Sequence, residues 1–353
     1  MIHAPPDSPI LGFAQINKPI DSAWVSGPSI PTPWFEVFWK THNEGLPNNH
    51  LGLYTLLDLS NNQLSGEIPN SLGNLRSLKV LNLSHNSLSG PIPASFGNIK
   101  ELESLDLSHN NLSGDIPESM AQISSLQILS VGNNFLRGPI PSNLSNLRSL
   151  QILDLSGNKL SGRVPNHLGN LRGMIHAPPD SPILDFAQIN NPIDSAWVSG
   201  PSIPTPWFEV FWKTHNEGFP NNHLGLYTLL DLSNNQLPGE IPNSLGNLRS
   251  LKVLNLSHNS LFGPIPTSFG NIKELEILDL SHNNLSGDIP ESIGTLLQIS
   301  NLQLSDNNLS GRIPTGSQMD RIVRDRLGII LYFLDNLIFP CPYSIVLSIT
   351  VSF

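Results

Sequence analysis

LKVLNLSHNSLSGPIP, residues 78–93, is the stretch that decides the fold. It combines the pattern LxxLxLxxN, which ends at Asn86, with a following LxGxIP, and the combination recurs every 24 residues. The asparagines that end the pattern are Asn62, Asn86, Asn110, Asn134, Asn158, Asn235, Asn259, Asn283 and Asn307. A fixed period of this length indicates a solenoid, in which each coil buries its apolar side only by stacking on its neighbours.

Each repeat position has a predicted structural role. Leu81 and Leu83 alternate with polar residues, which predicts a half-buried strand with both leucines in the core. Lys79, Asn82, Ser84 and His85 are then expected to be exposed on the concave surface of the solenoid. Asn86 is expected to be buried at the turn after the strand, where its amide can bond the backbone of neighbouring coils. The pattern therefore predicts a parallel concave sheet with one short strand per coil.

The repeat form LSGEIPNSLGNL, residues 64–75, resembles the plant-specific class of leucine-rich repeats. Residues 227–235 and 311–318 are similar to the membrane-proximal end of plant receptor-like proteins, which are cell-surface receptors without a kinase. Residues 211–218, before the second block of repeats, are similar to the end of this family's non-repeat segment, called the island. The resemblance covers roughly residues 35–320. It implies an α/β-type repeat solenoid, a right-handed leucine-rich repeat superhelix with a parallel concave β-sheet and few regular helices.

The chain contains a tandem duplication. Residues 1–120 and 174–293 align at a constant offset with eight differences, among them Ser65/Pro238 and Ser89/Phe262. We therefore predict five segments: a Pro/Trp-rich island-like segment at 1–52, five repeats at 53–173, a second island-like segment at 174–226, four repeats at 227–314 and a divergent apolar tail at 315–353. The spacing between Asn158 and Asn235 equals one repeat plus an insertion, so we expect the solenoid to continue across the second island.

The two ends of the chain depart from the receptor family. Residues 1–30 carry neither the basic start nor the apolar core that is typical of a signal peptide. Asp335 and two prolines interrupt the apolar tail, and its longest uninterrupted stretch is shorter than the ~20 apolar residues of a membrane span. A translated intron, a poor membrane anchor and a docked terminal cap remain alternatives for the tail. The resemblance implies the extracellular side of the plasma membrane, whereas the ends predict a fragment or rearranged gene product that does not reach the cell surface.

Composition and motifs argue against enzyme activity and nucleic-acid binding. The formal net charge is −10, whereas a protein that binds nucleic acid requires a basic surface. Asp58, Asp106 and Asp154 share one repeat position, but they alternate with Asn82 and Ser130, which predicts about 10 Å between neighbouring carboxylates at two strand spacings. That separation is too long for a shared proton or metal ion. Kinase and phosphate-loop signatures do not occur in the sequence, so we expect no cofactor and no catalysis.

The predicted function is protein binding by the concave face. Resemblance to the receptors implies a protein or peptide ligand and a co-receptor kinase that faces the last four repeats. Concave positions that vary between coils, together with two pairs of stacked histidines, are the candidate contacts: Lys79, His85, Glu103, His109, Gln127, Gln151, Lys252, His258, Glu276 and His282. The histidine pairs are either pH-sensitive or simply exposed polar surface.

Six N-x-S sequons are candidate glycosylation sites, at Asn82, Asn111, Asn143, Asn255, Asn284 and Asn308. A secreted inhibitor of a cell-wall-degrading enzyme and a non-functional receptor remnant are the alternative functions. Such inhibitors share this repeat, but their cysteine-paired caps are missing from a chain with one cysteine.

Overall fold

The computed structural model describes residues 56–176 and 228–319. The first island-like segment, nearly all of the second and the tail beyond Met319 lie outside the described residues. Within the described ranges, no helix is both long enough and apolar enough to cross a membrane.

One parallel sheet lines the concave side of the solenoid, with one three-residue strand per coil. Its strands are β1 (Leu56–Asp58), β3 (Val80–Asn82), β5 (Ser104–Asp106), β7 (Ile128–Ser130), β9 (Ile152–Asp154), β11 (Leu229–Asp231), β13 (Val253–Asn255), β15 (Ile277–Asp279) and β17 (Asn301–Gln303). The central leucine of each strand points into the core, as the alternation predicted; Leu81, for example, is completely buried. The predicted solenoid with a parallel concave sheet is confirmed.

The sheet continues across the second island-like segment. Strand β9 pairs directly with β11, in the register Ile152↔Leu229 and Asp154↔Asp231. The amide of Leu229 donates to the carbonyl of Gln151 at 2.9 Å. We call this junction between the fifth and sixth coils the seam. The expectation that the solenoid continues past the insertion is therefore confirmed.

The asparagine of each repeat ties successive coils together. Asn110 is buried, and its Oδ1 accepts from the amide of Leu88 in the preceding coil at 3.0 Å. Its Nδ2 donates to the carbonyl oxygens of Leu83, Leu107 and Ser108 at 2.9, 3.2 and 3.1 Å. These bonds satisfy backbone groups at the bend after the strand, where the sheet offers no partner. The predicted role of the asparagine is confirmed.

A further strand follows the asparagine that ends the repeat pattern in each coil, and together these strands form the lateral face of the solenoid. These are β2 (Ser65–Glu67), β4 (Ser87–Pro91), β6 (Asn111–Asp115), β8 (Phe135–Pro139), β10 (Lys159–Ser161), β12 (Pro238–Glu240), β14 (Ser260–Gly263), β16 (Asn284–Asp288) and β18 (Asn308–Ser310). This lateral row is interrupted at the seam, between β10 and β12. Pro238 stands there and has no N–H to donate to the preceding coil, which removes one ladder bond.

Short 3₁₀ turns form the side of the solenoid opposite the concave sheet. They span Asn70–Asn74, Ala94–Asn98, Glu118–Gln122, Ser142–Asn146, Asn166–Asn170, Asn243–Asn247, Thr267–Asn271 and Glu291–Thr295. Each turn follows a proline and buries an apolar residue, such as Phe96 or Phe269, in a core that runs through both blocks. The helix α1 (Arg172–Ile175) follows the last turn before the seam. Met174, at the predicted start of the second island, is fully buried in that core.

Candidate binding face

The candidate residues on the concave side fall into two separate rows. The first row lies at the start of the strands and consists of Lys79, Glu103, Gln127, Gln151, Lys252 and Glu276. The second row lies at the bend after the strands and consists of His85, His109, His258 and His282. Within one coil the two positions, such as Lys79 and His85, are six residues apart in the sequence, which corresponds to roughly 20 Å along a fully extended chain. The structure therefore places the candidates along both edges of the concave face.

The first row contains two ion pairs between neighbouring coils. Lys79 Nζ lies 3.0 Å from Glu103 Oε1, and Lys252 Nζ lies 2.9 Å from Glu276 Oε1. The hydrogen bond from Lys79 to Glu103, together with the charge of that carboxylate, raises the pKa of Lys79. The four side chains are between 21% and 47% exposed, so a ligand can reach both pairs.

The middle of the first row is less accessible than its ends. Gln151 is only 5% exposed, and Gln127 is half-buried. The Oε1 atom of Gln127 is buried without a hydrogen-bond partner. The expectation that varying concave residues are exposed is therefore wrong for Gln151, because the side chain is enclosed at the strand start. The accessible part of the row is concentrated in the two ion pairs.

The second row contains two stacked histidine pairs. The ring centroids of His85 and His109 are 4.2 Å apart, and those of His258 and His282 are 4.0 Å apart. All four residues have a φ between 51° and 54°. This is the left-handed region, in which histidine and asparagine are enriched among non-glycine residues. Burial, followed by the charge of His282, lowers the pKa of His258. His282 also lies 3.3 Å from the carboxylate of Asp306.

A polar column runs between the two rows, at the third residue of each strand. It is buried except at Asp58, Asp279 and Gln303, which are half-buried. Its members are Asp58, Asn82, Asp106, Ser130, Asp154, Asp231, Asn255, Asp279 and Gln303. Asn82, expected on the exposed concave surface, is 1% exposed, and its Oδ1 accepts from the amide and hydroxyl of Ser84 at 3.0 and 2.8 Å. The expected exposure of Asn82 and Ser84 is therefore wrong, because Ser84 bonds Asn82 Oδ1 beneath the surface, where Asn82 Nδ2 has no hydrogen-bond partner among the described residues.

Two carboxylates of this column are neighbours across the seam. Asp154 and Asp231 are both buried and occupy the same register on β9 and β11, one strand spacing apart. Sequence reasoning compared carboxylates only within each repeat block and missed this pair. Burial, together with the charge of Asp154, raises the pKa of Asp231 to about 7, and burial raises the pKa of Asp154. Within the described ranges, no cluster of three or more metal-ligating side chains is present.

The first residues of the concave strands form an apolar stripe that sequence reasoning also missed. Leu229, Val253 and Ile277 form a buried cluster separate from the main core, with the partly buried Ile152 packed against it. The signal is present in the sequence, because these strands begin with a β-branched or aliphatic residue on the concave side. The concave face therefore has a buried apolar stripe beneath its polar edges.

The six sequons differ in accessibility. Asn82 and Asn255 are buried in the concave column, and Asn255 Nδ2 donates to Asp231 Oδ2 at 3.2 Å. Asn143 is half-buried, and its Nδ2 donates to the carbonyl of Glu118 at 3.1 Å. The remaining three are exposed at the start of lateral strands: Asn111, Asn284 and Asn308.

Comparisons with known proteins agree with this architecture. A family described as "Leucine-rich repeat region" matches residues 37–176, and a family described as "Leucine Rich Repeat" matches residues 228–248, 250–272 and 274–296. Receptor-like protein 46 of Arabidopsis thaliana is 59% identical over 44 residues, which cover 12% of this chain and 5% of that protein.

Solved structures of plant receptors are also similar. A TDR receptor is 27% identical, with a TM-score of 0.58, and the match covers 75% of this chain and 37% of that one. The Arabidopsis receptor kinase HAESA, in complex with the peptide hormone IDA and the co-receptor SERK1, is 30% identical with a TM-score of 0.54. That match covers 75% of this chain and 40% of that one, so the chain spans well under half of these receptors.

The two family matches together span more than half of the 353 residues, and they coincide with the two blocks of coils. Relatives with the same coils include plant receptors. The chain therefore belongs to the leucine-rich repeat proteins and is similar to the ectodomains of plant receptors.

Proposed function

We propose that the chain is a non-enzymatic protein-binding ectodomain of a plant cell-surface receptor-like protein. The observation that carries the proposal is the nine-stranded concave sheet, which runs without a break through both blocks of coils. Its charged and histidine-rich edges suit an extended peptide, whose polar and charged groups can meet both rows.

The relatives support two kinds of partner. HAESA is described in complex with a peptide hormone and a co-receptor, and we infer a similar division of roles for this chain. A peptide or protein ligand would contact the two concave rows. A co-receptor kinase would contact the last four coils, within residues 227–314. Because the described relatives are receptors, this function is favoured over secreted inhibition of a cell-wall-degrading enzyme.

We further infer a location on the outer side of the plasma membrane, with the island-like segments at 1–52 and 174–226 flanking the repeat blocks. Support comes from the receptor-like relative and from the three sequons that are exposed together on the lateral face. Glycans at Asn111, Asn284 and Asn308 would leave the concave face open for a ligand.

A peptide-display selection tests the proposal. The full chain would select binders from a random peptide library, and the SERK1 ectodomain would be measured separately by biolayer interferometry. We expect selected peptides to lose at least tenfold in affinity in the double variants K79A/E103A or K252A/E276A. The control variant S65A on the lateral face, at an exposed serine outside the sequons, should keep full affinity. Peptides that bind all concave variants as tightly as the parent chain would contradict the proposed ligand face.

A further inference from the structure

A cleft of about 660 Å³ lies on the side of the solenoid opposite the concave sheet. It opens between the fourth and fifth coils, immediately before the seam. Four of its lining side chains are basic: Arg148, His167, Arg172 and His176. The other lining residues include Ser145 and Asn170, and none of the lining residues is acidic.

The helix α1 shapes one wall of the cleft. In the fifth coil the chain turns into α1, where the amide of His176 donates to the carbonyl of Arg172 at 2.9 Å. Residues four apart lie on the same helix face, so Arg172 and His176 line one wall together. Gly173 makes this turn possible, because a Cβ there would lie 2.5 Å from the carbonyl oxygen of Leu150 at the start of the same coil.

His167 also lines the cleft, and its residue type differs from the one usual at this repeat position. The equivalent position is serine in most described coils, and its hydroxyl donates to the carbonyl at the start of the preceding 3₁₀ turn. Ser95 bonds Asn70 at 2.7 Å, Ser119 bonds Ala94 at 2.7 Å, and Ser244 bonds Asn166 at 2.6 Å. In the described structure His167 makes no such bond, and its imidazole is exposed in the cleft.

Arg148 and Arg172 hold the same repeat position as two lysines elsewhere in the solenoid. Those lysines are occupied internally: Lys100 Nζ donates to Gly97 at 2.5 Å, and Lys273 Nζ donates to Gly270 at 2.6 Å. The two arginines are exposed, and among the described residues neither has a salt-bridge partner. Their guanidinium groups thus remain available for a ligand on a chain that carries an overall charge of −10.

We propose that this cleft binds a compact polyanion that carries phosphate groups. Arginine matches phosphate oxygens with two parallel N–H donors, and two arginines on adjacent coils can hold two such groups. The imidazole N–H groups of His167 and His176 add donors from both walls. A cleft of this volume lies within the usual range for small-ligand sites. The site is independent of the proposed ligand face, because it lies on the other side of the coils.

Calorimetric titration of the full chain with tripolyphosphate tests this inference. We expect one saturable site, with affinity at least tenfold weaker in R148Q/R172Q and at least threefold weaker in H167S. The substitution H167S restores the serine of the other coils, so it should keep the fold intact. The matched control R76Q/R312Q removes two exposed arginines from coils away from the cleft and should leave the affinity unchanged.

Three results would overturn the proposal. One is the absence of saturable tripolyphosphate binding to the parent chain. Another is equal weakening in the control and the cleft variants, which would indicate general charge attraction. The last is binding of a hexaglutamate peptide without binding of tripolyphosphate, which would assign the cleft to an acidic protein segment. These outcomes do not depend on the proposed ligand face. If the concave-face variants left peptide binding unchanged, the tripolyphosphate titration would still test the cleft.

Discussion

Asp154 and Asp231 lie 77 positions apart in the sequence, yet they occupy the same register on adjacent strands of the concave sheet. Asp154 accepts hydrogen bonds from the hydroxyls of Ser130 and Ser156, at 2.9 and 2.6 Å. Asp231 accepts from the amide of Ser233 at 2.8 Å and from Asn255. Serine and asparagine donors therefore satisfy the pair, and no cationic side chain contributes to it among the described residues.

This pair predicts that the solenoid loses stability as the pH rises. Burial, together with the charge of Asp154, raises the pKa of Asp231 to about 7, above the unfolded value of about 3.9. The folded state therefore holds more protons between about pH 4 and pH 7, and the free energy of unfolding falls as the pH rises through that window. The change D154N should flatten this decline and stabilise the protein at pH 7 by on the order of 1–2 kcal/mol.

Urea unfolding at pH 5 and pH 7 measures this effect. Asparagine fits the column, because Asn255 occupies it and donates to Asp231 in the same sheet. The matched control is D279N, whose neighbours in the column are Asn255 and Gln303 rather than another aspartate. A pH dependence in D154N as steep as in the parent chain would contradict repulsion at the seam.

The asparagines that end each repeat pattern tie successive coils together, so we predict that replacing one of them costs much more stability than replacing an exposed asparagine of the same block. The change N110L removes four hydrogen bonds to backbone groups and should cost about 1–3 kcal/mol of unfolding free energy. N74L, at the exposed end of a 3₁₀ turn, should be nearly neutral. Thermal unfolding compares the variants, and equal midpoints would show that the register of the repeat is misassigned.

Side-chain accessibility predicts which sequons carry sugar when the chain is directed through a plant secretory pathway. Asn111, Asn284 and Asn308 should be modified because they are exposed on the lateral face. Asn82 and Asn255 should remain bare, since each is buried in the concave column. Peptide mass spectrometry after glycosidase treatment in heavy-oxygen water reads out each site. Efficient modification of Asn82 would contradict its placement.

The strict period made most of the fold predictable. Leu81 and Asn110 recur at fixed spacing, and the same spacing fixes both the strand and the bonds between coils. Accessibility was harder to predict, because alternation places Asn82 on the concave side but says nothing of the bonds that bury it. The seam pair required knowledge of the register across a long insertion. The basic cleft required a local change in the fifth coil, where α1 and His167 depart from the repeat.

Hydrogen–deuterium exchange at the seam tests the central claim most directly, that both blocks form one continuous sheet. The amide of Leu155 donates to the carbonyl of Asp231 at 2.9 Å, just as the amide of Leu107 donates to Ser130 at 2.8 Å inside the first block. A continuous solenoid predicts similar protection for peptides that contain Leu155 and Leu107. Rapid exchange at Leu155 and Leu229, alongside slow exchange at Leu107, would show that the two blocks are separate and would contradict a single binding face.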